Sequence, residues 1–198
     1  MNFKSLLLYA ASAVVPTLAL AAPPSTPAAA APGKPAEGAF HRVALAAGEG
    51  KTLPYTLEVP MGWEPRQVAG IPGLWIGPAD AKPPEDPRLI WVRGTLVSFA
   101  DPDKLAATIR ANDAADPKWS APRVELKDLG GVRGLLVQMD TGEGDKARSS
   151  LILKLPLDKV SLDITASANR AEFAKQSSLY ERILLSTRPA APAAATKK

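Results

Sequence analysis

Few side chains in this sequence are able to do covalent or metal chemistry. There is one histidine, His41, and no cysteine. Without cysteine there is no disulfide, no thiolate metal site and no cysteine nucleophile. A catalytic triad or zinc centre needs a histidine held in place by a core. His41 stands between Phe40 and Arg42 at the margin of a proline-rich segment and reads as an exposed linker residue. Neither Ser-x-x-Lys nor Gly-x-Ser-x-Gly occurs. Gly48-Glu49-Gly50-Lys51-Thr52 resembles the end of a phosphate-binding loop, but Leu45 occupies the place of its leading glycine, so the segment reads as a turn before a strand.

Two groups remain. Asp140, Glu143 and Asp145, interleaved with Gly142 and Gly144, are hard oxygen ligands of the kind that hold calcium. Their spacing is not that of an EF-hand loop, and an acidic hairpin between two strands accounts for them equally. The second group is aromatic. Trp63 and Trp75 flank Glu64–Gly73, read as a loop, and Trp119 follows a predicted helix in a proline-rich stretch. Aromatics on loops favour contact with a protein or small ligand, and these three are the candidate partner-binding residues; the competing role is to seal the ends of a sheet. Trp91 falls inside a strand and reads as core. Pro78–Pro87, with four prolines and three acids, is a polar loop suited to docking or to a rigid connection. No cofactor is expected.

Charge excludes one class of partner. The net charge is +4, but Lys4, Lys34, Lys197 and Lys198 lie in the terminal segments, leaving 20 Lys and Arg against 19 Asp and Glu between Gly38 and Arg188. A nucleic-acid footprint needs clustered cations on a folded surface, and here the signs are interspersed.

The elements that must position these residues begin after an export leader. Lys4, the apolar run Leu6–Val15, Pro16 and Ala19-Leu20-Ala21 form a secretory signal over residues 1–21. The run is too short to span a membrane well, so no transmembrane segment is expected after cleavage, and the product is a periplasmic or secreted protein. Residues 22–38 form an Ala/Pro-rich tether and 189–198 a similar tail, bracketing one domain over 39–188. Within it, alternation predicts strands at Tyr55–Val59, Gly73–Ile76, Arg88–Phe99, Arg123–Leu126, Val132–Met139, Arg148–Leu155 and Lys159–Ser167. Arg88–Phe99 is apolar on both parities and is expected to be central and covered on both sides. Asp101 with Pro102 starts one helix, and Asn169 with Glu172 starts another that Pro189 prevents from continuing. The fold class is α+β, an antiparallel sheet flanked by helices.

This order resembles the PsbP-like family of α/β/α sandwiches. The resemblance rests on Tyr55-Thr56-Leu57-Glu58-Val59-Pro60-Met61-Gly62-Trp63 as an opening strand followed by Pro, two residues and Trp. It also rests on the central strand Arg88–Val92, the helix from Asp101, Val132-Arg133-Gly134 after a hairpin, and the closing Ile183-Leu184-Leu185-Ser186. It spans about residues 42–188. It implies a non-catalytic module that acts by binding or assembly, here with a protein partner in the cell envelope. A small-ligand or lipid binder, or an immunity-type inhibitor of a secreted toxin, is the alternative.

Overall fold

Short polar turns join the apolar strands, so most strands pair antiparallel with their neighbours in sequence. The computed structural model describes residues 38–47, 51–95, 99–113, 119–157 and 160–191. The predicted leader, all but the last residue of the tether, the 48–50 turn and residues 192–198 lie outside the described residues. The elements in chain order are β1 (Phe40–Ala47), β2 (Lys51–Pro60), β3 (Trp63–Val68), β4 (Ile71–Pro78), β5 (Ile90–Thr95), α1 (Pro102–Asp113), β6 (Trp119–Asp128), β7 (Arg133–Thr141), β8 (Arg148–Leu157), β9 (Val160–Asn169), α2 (Arg170–Leu185) and β10 (Arg188–Pro189). Seven strands form one sheet in the order β3-β4-β5-β9-β8-β7-β6, and β1-β2-β10 form a small second sheet. The fold is α+β with antiparallel pairing throughout.

Both helices begin where the sequence places them. The Asp101 carboxylate accepts from the Lys104 amide at 3.0 Å, and the Asn169 side chain accepts from the Glu172 amide at 2.9 Å. These caps satisfy donors that the first turn leaves without partners. The sequence predicts a loop over Glu64–Gly73, whereas the structure has β3 and the start of β4 there. Pro65 obscures the alternation, and β3 tolerates it because an edge strand leaves amide positions outside the ladder. β6, the opposite edge, carries Pro122 where its register with β7 shifts.

Register puts alternate rows on opposite faces. Leu74, Val92, Ile164, Leu153 and Leu136 run side by side across five strands, and all are buried. α2 covers this face, packing on β8, β9 and β2, and it contributes Phe173, Tyr180, Ile183 and Leu184 to the main core. Tyr180 is wholly buried, and its hydroxyl donates to the Pro87 carbonyl. Burial pushes its pKa up. The small sheet joins the same core through Val43, Leu45, Tyr55, Leu57 and Val59. The Ser186 hydroxyl, just past α2, accepts from the Glu58 amide of β2 at 2.7 Å.

At the β6 edge, the Arg123 guanidinium bridges Glu125 of its own strand at 2.8 Å and Glu181 of α2 at 2.7 Å. Arg123 and Lys127 hold the Glu125 carboxyl down at about 2, and Arg123 lowers Glu181 too. Carboxylates depressed in the folded state contribute stability above the ordinary value of 4.5 and lose it as pH falls through the folded value. Both carboxylates are more than a third exposed, which weakens the contribution. Arg123→Met is therefore expected to be less stable than wild type near neutral pH, with the deficit shrinking as pH falls from 4.5 toward 2; urea titrations across that range measure it.

Tyr180→Phe keeps the ring but strips the Pro87 carbonyl of its donor. The expected cost is about 1–3 kcal/mol, read as a lower denaturation midpoint with an unchanged slope.

Candidate binding groove

The second row begins one residue along. Trp75, Trp91, Thr165, Ile152, Val137 and Val124 lie side by side on the opposite face. α1 packs on β6 and β7. Ala106, with Leu105 and Ile109, covers Val124, Leu135 and Val137. A helix about 10 Å across covers roughly two strands spaced about 4.8 Å apart. α1 therefore leaves Thr165 and Ile152 uncovered, and at β4 and β5 two indoles take over.

Trp75 and Trp91 stack with ring centroids 5.3 Å apart and planes 8° from parallel. Trp75 is only 5% exposed and packs with Ala81 and Leu89 under the 79–89 loop. Trp91 is half-buried, and the Arg93 guanidinium sits 4.1 Å from its ring centroid. The Trp91 indole N–H donates to the Pro72 carbonyl at 2.9 Å. The Trp75 indole N–H is buried and has no partner among the described residues. Gly73 makes this placement possible. Its φ is +99°, and a Cβ there would lie 2.5 Å from Trp91 Nε1 and 2.7 Å from the Val92 carbonyl oxygen.

The result is a concave groove of about 460 Å³. One wall is the Trp pair with Ile71, Pro72 and Leu89; the floor is Ser150, Ile152, Asp163, Thr165 and Ser167 of β8 and β9; Pro84 and Asp86 of the loop, Arg93 and Arg148 complete the rim. The loop is tied down. The Arg66 guanidinium donates to the carbonyls of Ala79, at 2.8 Å, and Ala81. Arg88 binds Asp86 at 2.8 Å and Asp80 at 2.9 Å, and this pairing lowers the Asp86 pKa. Asp163 is buried and paired with Lys154 at 2.7 Å. It accepts at 3.2 Å from Ser161 Oγ, which lies 2.5 Å from Thr95 Oγ1.

The residues singled out from sequence do not converge. Trp63 is 9% exposed and belongs to the main core, so its surface is spent on packing. Trp75 lines the groove. Trp119 opens β6, and its side chain lies outside what is described. Trp91, read as core, is a groove residue, because no helix covers that face at β5. Pro78–Pro87 contributes Pro84 and Asp86. His41 lies on β1 of the small sheet, with Nδ1 buried and without a hydrogen-bond partner among the described residues. Among the described residues no group of three or more His, Cys, Asp or Glu is placed to hold a metal ion. Asp140 lies on β7, and Glu143 and Asp145 are exposed in the turn that follows. The missed residues are Arg93, Arg148, Ser150, Ile152, Asp163, Thr165 and Ser167. Their signal was present: Asp163, Thr165 and Ser167 are polar alternate positions on a central strand, which marks a face left open.

Gly73→Ala is expected to displace the Trp91 indole and cost more than about 1 kcal/mol. Red-shifted tryptophan emission together with a lower denaturation midpoint would show it. Unchanged emission would mean that the indole does not depend on the missing Cβ.

No protein-family model matches the chain, and no curated protein does. Among solved structures, it is similar to cyanobacterial PsbP (CyanoP) from Synechocystis sp. PCC 6803, at 15% identity and TM-score 0.48, over 79% of this chain and 96% of that one. It is also similar to LpqN, described as involved in cell envelope biogenesis of Mycobacterium tuberculosis, at 16% identity and TM-score 0.49, over 77% and 92% of the two chains. At these identities the likeness is one of fold alone.

Proposed function

We propose that this chain is an exported, non-catalytic module that binds a protein partner in the cell envelope through the Trp75–Trp91 groove. The observation that carries the reading is the open aromatic-walled half of a sheet face whose other half is sealed by α1. Stacked indoles offer large, stiff apolar area at low entropic cost, the property that concentrates binding energy at interfaces. The site is anchored rather than loose, since Gly73, Pro72 and the tethered loop fix the indoles before any partner arrives. Its carboxylates are held in ion pairs with Arg88 and Lys154, which supports a binding role for the groove. The export leader read at residues 1–21 supports the compartment. Among the described residues no helix is long and apolar enough to cross a membrane.

The groove's volume lies within the range of small-molecule sites, and this favours a small amphiphile as the second reading.

The test is affinity capture from envelope extract with the full chain, beside Trp91→Ala and Thr165→Lys. The first variant removes wall; the second fills the floor with a charged stem. One stoichiometric protein is expected with the wild type, bound more than about tenfold more weakly by each variant, with both variants retaining wild-type circular dichroism. Capture that survives both substitutions overturns the reading. A small molecule carried through native mass spectrometry by wild type but not by Thr165→Lys favours the second.

A further inference from the structure

We infer that the groove takes an extended, acidic segment of its partner, with carboxylates toward Arg93 and Arg148 and an apolar side chain between them. This deepens the proposed function and rests on it.

The charge pattern is the first ground. Two acids and two cations line the groove. Both acids are already paired: Asp163 with Lys154, and Asp86 with Arg88, which also reaches Asp80 outside the groove. Neither cation is. Among the described residues, Arg93 makes only its stacking contact with Trp91, and Arg148 only a 3.5 Å hydrogen bond to Ser167 Oγ. Both are exposed. The groove therefore presents two guanidiniums that form no ion pair among the described residues, and guanidinium geometry matches a carboxylate with two parallel hydrogen bonds.

Spacing is the second ground. Arg93 lies opposite Asp163 and Arg148 opposite Asn169, six residues apart along β9. At about 3.3 Å per residue their strand positions are about 20 Å apart. Anionic groups spread along an elongated occupant fit that separation better than one compact anion does. An extended peptide has the same rise, so acids about six residues apart reach both cations. Between them lie the indole edges, Leu89 and Ile152, an apolar surface for a side chain, and the Ser150 hydroxyl, which donates to Ser167 Oγ at 2.8 Å and keeps a lone pair for a main-chain amide.

The probe is a dye-labelled peptide with glutamates about six residues apart around a central leucine, compared with its lysine counterpart by fluorescence anisotropy on the full chain. The glutamate peptide is expected to bind more than about tenfold more tightly, with affinity falling as salt rises. Arg93→Glu with Arg148→Glu is expected to reverse the preference, which misfolding cannot imitate. The Arg93→Gln, Arg148→Gln pair is expected to abolish it. Equal binding of the two peptides overturns the inference. So does failure of both peptides with Arg-dependent binding to phosphatidylglycerol vesicles, which would assign the groove to a membrane surface. If Trp91→Ala loses the captured partner while the double glutamate variant keeps it, the groove remains a protein site and only the acidic specificity falls. If every groove variant keeps the partner, the proposed function itself falls.

Discussion

A seven-stranded antiparallel sheet has two faces to cover, and neither helix among the described residues spans a face from edge to edge. The sixteen residues of α2 pack on β8 and β9 of the apolar face, and the small sheet completes that core through Val43, Leu45, Tyr55, Leu57 and Val59. The twelve residues of α1 reach only β6 and β7 on the other face. What happens at β4, β5, β9 and β8 follows from that shortage. Apolar surface left in water is costly, so the exposed strands carry serine, threonine and an ion pair where the covered ones carry leucine and valine. At β4 and β5 the cover is the chain's own side chains, two stacked indoles under a loop pinned by Arg66 and Arg88.

The loop that supplies this cover is coupled to the opposite face. Tyr180 projects from α2 through the core, and its hydroxyl meets the Pro87 carbonyl. Arg88 follows directly and holds Asp86 at the groove rim. The packing of α2 and the shape of the groove are therefore joined through three consecutive residues. A similar economy appears at Gly73, where the lack of a side chain admits both the Trp91 indole and the turn of the backbone.

Much of this architecture was legible in the sequence. Helix starts are read from local chemistry, and Asp101 and Asn169 cap as their types imply. Strands with clean alternation, such as β8 and β9, lie where the pattern places them. Prolines hid β3, because Pro65 is a breaker in any strand except an edge, and edge position is a tertiary fact. The site was less legible. Indole is apolar enough to count as core and polar enough to tolerate a surface, so parity alone could not separate Trp63, which is buried, from Trp91, which is not. What separates them is the face each takes: Trp63 joins the core that α2 contributes to, whereas Trp91 lies on the face that α1 covers only at β6 and β7.

The small sheet carries a mechanical consequence. β1 and β10 flank β2 and both run antiparallel to it, so they are parallel to each other. The chain enters the sheet at Phe40 and leaves it at Pro189, with the Ala190 amide still bonded to the Pro54 carbonyl at 2.8 Å. Tension applied through the chain on the two sides would slide β1 and β10 in opposite directions along β2. Ladder hydrogen bonds lie across the strand direction, so that load falls on them together, in shear, and they cannot be unzipped one by one. A domain strung between two attachment points would in this way meet force at its most resistant geometry, while the groove on the large sheet stays out of the line of pull.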